Sequence, residues 1–282
     1  MTGKLYVIGI GPGDPELLTL KAVRILREVS CICVPKGKEE GSSIALSVAE
    51  KALKLDNKEI IEAHFPMRKT KESQGTEDRI QSTVPPPPNP LPQGEGGDSN
   101  IPSPSRGEGE GGGESLISNL CQLDEKWNET VENVLSRLNK GIDMAFLTIG
   151  DPTIYSTFFY LYDKLLELNP EINIEIIPGV SSINTAAARA GLSLGLADEK
   201  IAILPATYAD DVKETLEKFD TVILMKVHSV FDKVLNILSK MNLTDNAVYV
   251  SRAGMDDEKI FRNIRSIKKE DLNYFSLMII KK

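Results

Sequence analysis

The sequence predicts an α/β protein made of two domains with mostly parallel sheets. Three observations carry that expectation. Short apolar runs of strand length alternate with stretches of helical periodicity, glycine-containing turns directly follow three of the runs, and a single segment holds the departures from globular composition. Leu5–Ile10 is a buried-strand run, and residues 15–29 then place Leu18, Ala22, Ile25 or Leu26, and Val29 at helical spacing. Cys31-Ile32-Cys33-Val34 reads as a second strand. Met144–Ile149 is another, followed by a helical stretch through Leu168. Ile174–Ile177 leads into a helix over Ser181–Ala190, with Gly191 as its stop. Thr221–Met225 precedes residues 229–241, where Val230, Val234, Ile237 or Leu238, and Met241 share one face. Ala247–Val250 and Ser276–Ile280 are two further strands. The polar stretch Glu167-Leu168-Asn169-Pro170-Glu171 places the domain boundary, giving residues 1–169 and 170–282.

The 282 residues include 33 Lys and Arg against 41 Asp and Glu, a formal charge of −8. That balance argues against a nucleic-acid partner, whose footprint is a concentrated basic face. Residues 84–113 hold 8 of the 16 prolines and 8 of the 21 glycines, and no aromatic residue occurs between Phe65 and Trp127. Such a stretch buries too little apolar surface to offset its ordering entropy, so residues 73–118 read as an inserted disordered loop. A proline-rich docking ligand is the functional alternative for that segment, which would make the chain a non-enzymatic docking module.

Cys31, Cys33 and Cys121 form no CxxC, and His64 and His228 are the only histidines. Neither a disulfide framework nor a metal cluster is expected. No run approaches the ~18 apolar residues of a membrane span, and the expectation is a reduced cytoplasmic protein without a membrane partner.

Three turns carry the chemistry. Gly9-Ile10-Gly11-Pro12-Gly13-Asp14-Pro15 is only superficially a dinucleotide fingerprint, because Asp14 replaces the third glycine and two prolines remove donors. Asp14 suits an N-cap and Pro15 a first helical residue, while three glycines in five residues imply a close approach to the backbone. Gly150-Asp151-Pro152 directly follows a buried strand, where ligands of open α/β sheets collect. Pro178-Gly179-Val180-Ser181-Ser182 follows another, with hydroxyls suited to capping a helix or binding a ligand.

With these turns in this order, and with Leu17-Leu18-Thr19-Leu20-Lys21 and Leu224-Met225-Lys226, the chain resembles the tetrapyrrole (corrin/porphyrin) methylases. The run Gly150-Asp-Pro-Thr-Ile-Tyr-Ser-Thr157 looks most like the branch that methylates C20 of precorrin-2 or of cobalt-factor II. The resemblance implies an S-adenosylmethionine-dependent C-methyltransferase of cobalamin biosynthesis, with the cofactor in a cleft between two α/β domains, as a homodimer. A methylase acting at another position of the corrin or sirohaem pathway is the enzymatic alternative. Carried over by position, the cofactor contacts fall at Ile149, Gly150, Asp151, Ile154, Ser181, Ser182, Met225, Ala253 and Ser276. Pro12 would lie at the floor of the tetrapyrrole trough, with Lys36, Lys38, Arg68 and Lys69 as partners for substrate carboxylates and Tyr155 as a possible contact to the ring. An aspartate that some relatives carry after the second strand is replaced here by Pro35.

No metal and no catalytic residue is implied. A sulfonium methyl is already electrophilic, so holding carbon, methyl and sulfur in line supplies ~7–11 kcal/mol of the barrier. Residues 73–114 are expected to be dispensable. Replacing them by a short glycine-serine linker should leave methylation rate and product regiochemistry intact, because loop entropy changes by only about 1 kcal/mol. A folded, cofactor-binding deletion variant with no methylation would overturn that expectation.

Overall fold

The computed structural model describes residues 2–36, 43–64, 114–207 and 209–282. Lys38, Arg68, Lys69 and residues 73–113 of the expected insertion lie outside them. Residues 114–118, expected within the insertion, belong instead to a helix that begins at Glu114.

The first sheet contains β1 (Lys4–Gly9), β2 (Cys31–Lys36), β3 (Glu59–His64), β4 (Met144–Thr148) and β5 (Asn173–Ile177) in the order β3-β2-β4-β1-β5. Every pairing in it is parallel. Its faces are covered by α1 (Leu20–Glu28) and α2 (Ile44–Ala52) on one side. On the other side lie α3 (Glu114–Asn139) and α4 (Phe158–Leu168). Burial on both faces explains the unbroken apolar run Met144-Ala145-Phe146-Leu147 of β4. Cys31 and Cys33 are buried strand residues, and burial pushes their thiols up to about 11 and about 12.

The second sheet orders β6 (Ile201–Pro205), β7 (Thr221–Met225), β8 (Ala247–Ser251), β9 (Lys259–Phe261) and β10 (Ser276–Lys281) as β6-β7-β10-β8-β9. Only β6 and β7 are parallel, and the other three pairings are antiparallel. The expectation of mostly parallel sheets therefore holds for the first sheet and is corrected for the second. There the chain re-enters through the loop after β9 and lays β10 between β7 and β8. Helix α5 (Ser182–Ala190) covers one face, while α6 (Ala209–Lys218) and α7 (Phe231–Lys240) cover the other. Strand β5, beyond the boundary expected after residue 169, pairs with β1, and α5 packs on the second sheet. The chain thus crosses from one sheet to the other in residues 178–181.

The helix expected over 15–29 is divided. Asp14 caps a single 3-10 turn at Pro15–Leu17, accepting from Glu16 N at 2.9 Å, and Thr19 then caps α1. Gly191 ends α5 with φ +62°, as its position suggests.

At the amino end of the first sheet, Glu175 of β5 is bracketed by the ammonium groups of Lys21 and Lys4. Hydrogen bonds from Lys21 and then Lys4 hold its carboxyl down to about 2, below its ordinary 4.5. A folded-state value below the unfolded one stabilises the fold above pH 4.5, and that contribution disappears as pH falls towards about 2. Glu175→Gln should therefore flatten the dependence of melting temperature on pH across this window. An unaltered pH profile in the variant would exclude the cluster from acid denaturation.

Candidate active site

The carboxyl ends of β1, β4 and β5 meet through main chain. Ile10 N donates to Thr148 O at 3.0 Å, and Gly150 N donates to Gly11 O at 2.8 Å. A Cβ on Gly9 would stand 2.6 Å from Gly179 N and 2.7 Å from Gly150 O, so neither Gly9 nor Gly179 has room for a side chain. Gly150 has φ +73°, a conformation that glycine adopts without penalty. Asp151 locks this arrangement. Its Oδ1 accepts from Thr153 N at 2.8 Å and from the Thr153 hydroxyl, and its Oδ2 accepts from Gly179 N at 3.0 Å. The chain leaves β1 towards the face of α1 and leaves β4 towards the face of α4, which opens a crevice between the two turns.

The ends of β7 and β8 and the start of β10 close that crevice into a cavity of about 280 Å³. All nine residues that the resemblance implies for the cofactor line it, from Ile149, Gly150, Asp151 and Ile154 on the first sheet to Met225, Ala253 and Ser276 on the second, with Ser181 and Ser182 at the crossing. Pro12 and Tyr155 line it as well. Lys36 does not. Its ammonium turns to Glu62 at 2.6 Å and its side chain is only 13% exposed, because the parallel β2–β3 register sets residues 36 and 62 close together.

Several side chains have internal duties. Ser181 caps α5, accepting from Asn184 N at 3.3 Å and donating to Asn184 Oδ1 at 2.6 Å. Ser276 donates to Asn273 O at 2.5 Å. Asp151, with both oxygens engaged, is the only carboxylate in the lining among the described residues. Pro35 occupies the end of β2 there, and burial raises the Tyr155 hydroxyl above its ordinary value. Around these groups the lining is mainly apolar.

The sequence reading assigned no role to Lys226, Arg252, Met255 or Tyr274, all of which also line the cavity. Lys226 and Arg252 follow strand ends as Asp151 does, and that position was their available signal. A second link between the halves of the cleft was not legible at all. Arg189 of α5 reaches Asp14 Oδ2 at 3.4 Å and Glu258 Oε2 at 3.4 Å, and Glu258 in turn accepts from Gly254 N at 2.7 Å.

Asp151→Ala should lower stability by ~1–3 kcal/mol in urea unfolding, since it leaves donors of the glycine turn without an acceptor. A variant as stable as the wild type would exclude the carboxylate as a clasp between β4 and β5.

The profile of the tetrapyrrole (corrin/porphyrin) methylases matches residues 4–267. A Methanocaldococcus jannaschii protein named "Probable cobalt-precorrin-2 C(20)-methyltransferase" is 32% identical over 99% of this chain and 96% of its own length. The cobalt-precorrin-2 C(20)-methyltransferase of Salmonella typhimurium is 26% identical over 100% and 98%. Among solved structures, a cobalt precorrin-4 methyltransferase superposes with TM-score 0.61 at 19% identity, covering 99% of this chain and 94% of its own. A Thermus thermophilus uroporphyrin-III C-methyltransferase complexed with S-adenosylhomocysteine gives 0.57 at 17% identity, with coverage of 99% and 98%. With the profile matched across both sheets and a full-length relative above 30% identity, the chain belongs to the tetrapyrrole methylases.

Proposed function

We propose that the protein is an S-adenosylmethionine-dependent methyltransferase that adds a methyl group to C20 of precorrin-2 or its cobalt complex in cobalamin biosynthesis. The observation that carries this reading is the cavity at the carboxyl ends of β1, β4 and β5, lined by main chain and apolar groups. Full-length similarity to two C20-methyltransferases supports the position of methylation.

The residues fit a nucleoside thioether. Ile149, Ile154, Met225, Val250 and Leu277 offer apolar surface, and the hydroxyls of Ser182 and Thr157 offer polar contacts. When bound, S-adenosylmethionine supplies an activated methyl group. The chain's own task is then to hold the cofactor rigidly, exclude water and present the meso carbon in line. Positioning accounts for ~7–11 kcal/mol of such a barrier, and the proton displaced from the meso carbon passes to water.

We assign residues 1–177 and 182–282 to the two domains that flank the cleft. The edge strand β6 exposes Ile201 and Ile203, and Leu196 precedes it, which supports a homodimer. The free cysteines of β2 and the acidic balance accord with a cytoplasmic protein that binds no nucleic acid. No helix among the described residues is long and apolar enough to cross a membrane.

S-Adenosylhomocysteine should raise the melting temperature. Incubation with S-adenosylmethionine and reduced precorrin-2, with and without cobalt, should yield a product one methyl group heavier, substituted at C20 by NMR. Methylation at another carbon would overturn the C20 assignment, and no cofactor response would overturn the enzyme reading.

A further inference from the structure

Among the described residues, five non-glycine residues have positive φ, and three of them line the cavity of the cleft: Tyr155 at +52°, Lys226 at +56° and Arg252 at +57°. A side chain in the left-handed region costs stability, and such residues persist where the surrounding structure holds them for a purpose. Lys226 and Arg252 occupy equivalent places. Met225 and Val250 both pair with Leu277 from opposite sides, so the ends of β7 and β8 flank the start of β10 two strand spacings apart, about 10 Å. Each cation comes just after its strand end.

Their partners are few. Among the described residues, the Lys226 ammonium makes no hydrogen bond or ion pair and stands 5.9 Å from the centroid of the half-exposed Tyr155 ring. Asp257 holds Arg252 through Nε, and neither terminal guanidinium nitrogen has a hydrogen-bond partner among the described residues. Elsewhere among the described residues, Lys36, Lys51, Arg137 and Lys281 have their terminal nitrogens bridged to carboxylates. Two cations with free donors facing one apolar cavity, in a chain of net charge −8, form a local site for anions.

We propose that Lys226 and Arg252 are specificity-determining residues that bracket the substrate by its carboxylate side chains, with Tyr155 steadying Lys226. The assignment rests on the methyltransferase reading above, under which a polycarboxylated tetrapyrrole enters this cleft. Free donors to a carboxylate at the cavity then follow strands of the second sheet, whereas Lys36 is already bound to Glu62. The competing source of a carboxylate is the amino-acid end of the cofactor.

Steady-state kinetics on Lys226→Gln and Arg252→Gln, with calorimetric titration of S-adenosylhomocysteine, separates the two sources. Each variant should raise the KM for the tetrapyrrole by ~10-fold or more while cofactor Kd stays within ~2-fold, as loss of a charged hydrogen bond implies. Lys226→Arg should restore most of the loss. Lys226→Gly, which suits the left-handed backbone, should match or exceed the wild-type melting temperature and still bind tetrapyrrole poorly. A weakened cofactor Kd with an unchanged tetrapyrrole KM would reassign the cations to the cofactor and overturn the proposal. Wild-type values for both would overturn it equally. Absence of wild-type turnover on every form of precorrin-2 would instead overturn the methyltransferase reading, a result visible before any variant is made.

Discussion

The cavity depends on a contact in which no side chain can take part. Gly9 and Gly179 bring the ends of two parallel strands against each other and against the Gly150 carbonyl, closer than any Cβ permits, while Gly150 turns there with φ +73°. The Asp151 carboxylate spans the same junction and satisfies donors on two turns. That approach allows the β1 and β4 connections to diverge to opposite faces while their turns remain bonded to each other. The crevice follows from sheet order, and its depth follows from the missing side chains.

The two sheets contribute differently to the cleft. The first provides turns whose polar groups are largely spent on one another, as at Gly11, Gly150, Asp151 and Ser181. The second provides side chains: Met225, Lys226, Arg252, Met255 and Tyr274. Between them, Asp14, Arg189 and Glu258 form a chain of charges from the first glycine turn to the turn after β8, and Lys51 reaches Asp256 at 2.7 Å. These bridges are partly exposed, so each contributes modestly. They link two separately packed cores.

Much of this was legible because the strands are buried and bounded by glycine. Met144–Ile149 and Thr221–Met225 read correctly since burial on both faces makes a continuous apolar run. Strands β3, Glu59-Ile-Ile-Glu-Ala-His, and β6 lie at sheet edges, where one flank is open and polar residues intrude, so their runs are weak. Helix α2 is short, with alanine and serine supplying little contrast between faces. The antiparallel entry of β10 left no local signal, because register between distant strands is set by tertiary pairing. For Asp151 the sequence left loop and ligand roles open, and its bond to Gly179, twenty-eight residues away, had no local signal. Lys36 was assigned by chemistry alone, and Glu62, twenty-six residues away, claims it.

A floor made of main chain also has a bearing on how such a protein can change. Substitution acts on side chains, and here Gly9 and Gly179 leave no room for one, while the positive φ of Gly150 disfavours one. New preferences in the cleft must therefore arise at the rim, where residues such as Tyr274 and Met255 sit on loops between strands of the other sheet. The architecture separates a part that any ligand of this cleft must share from a part free to vary.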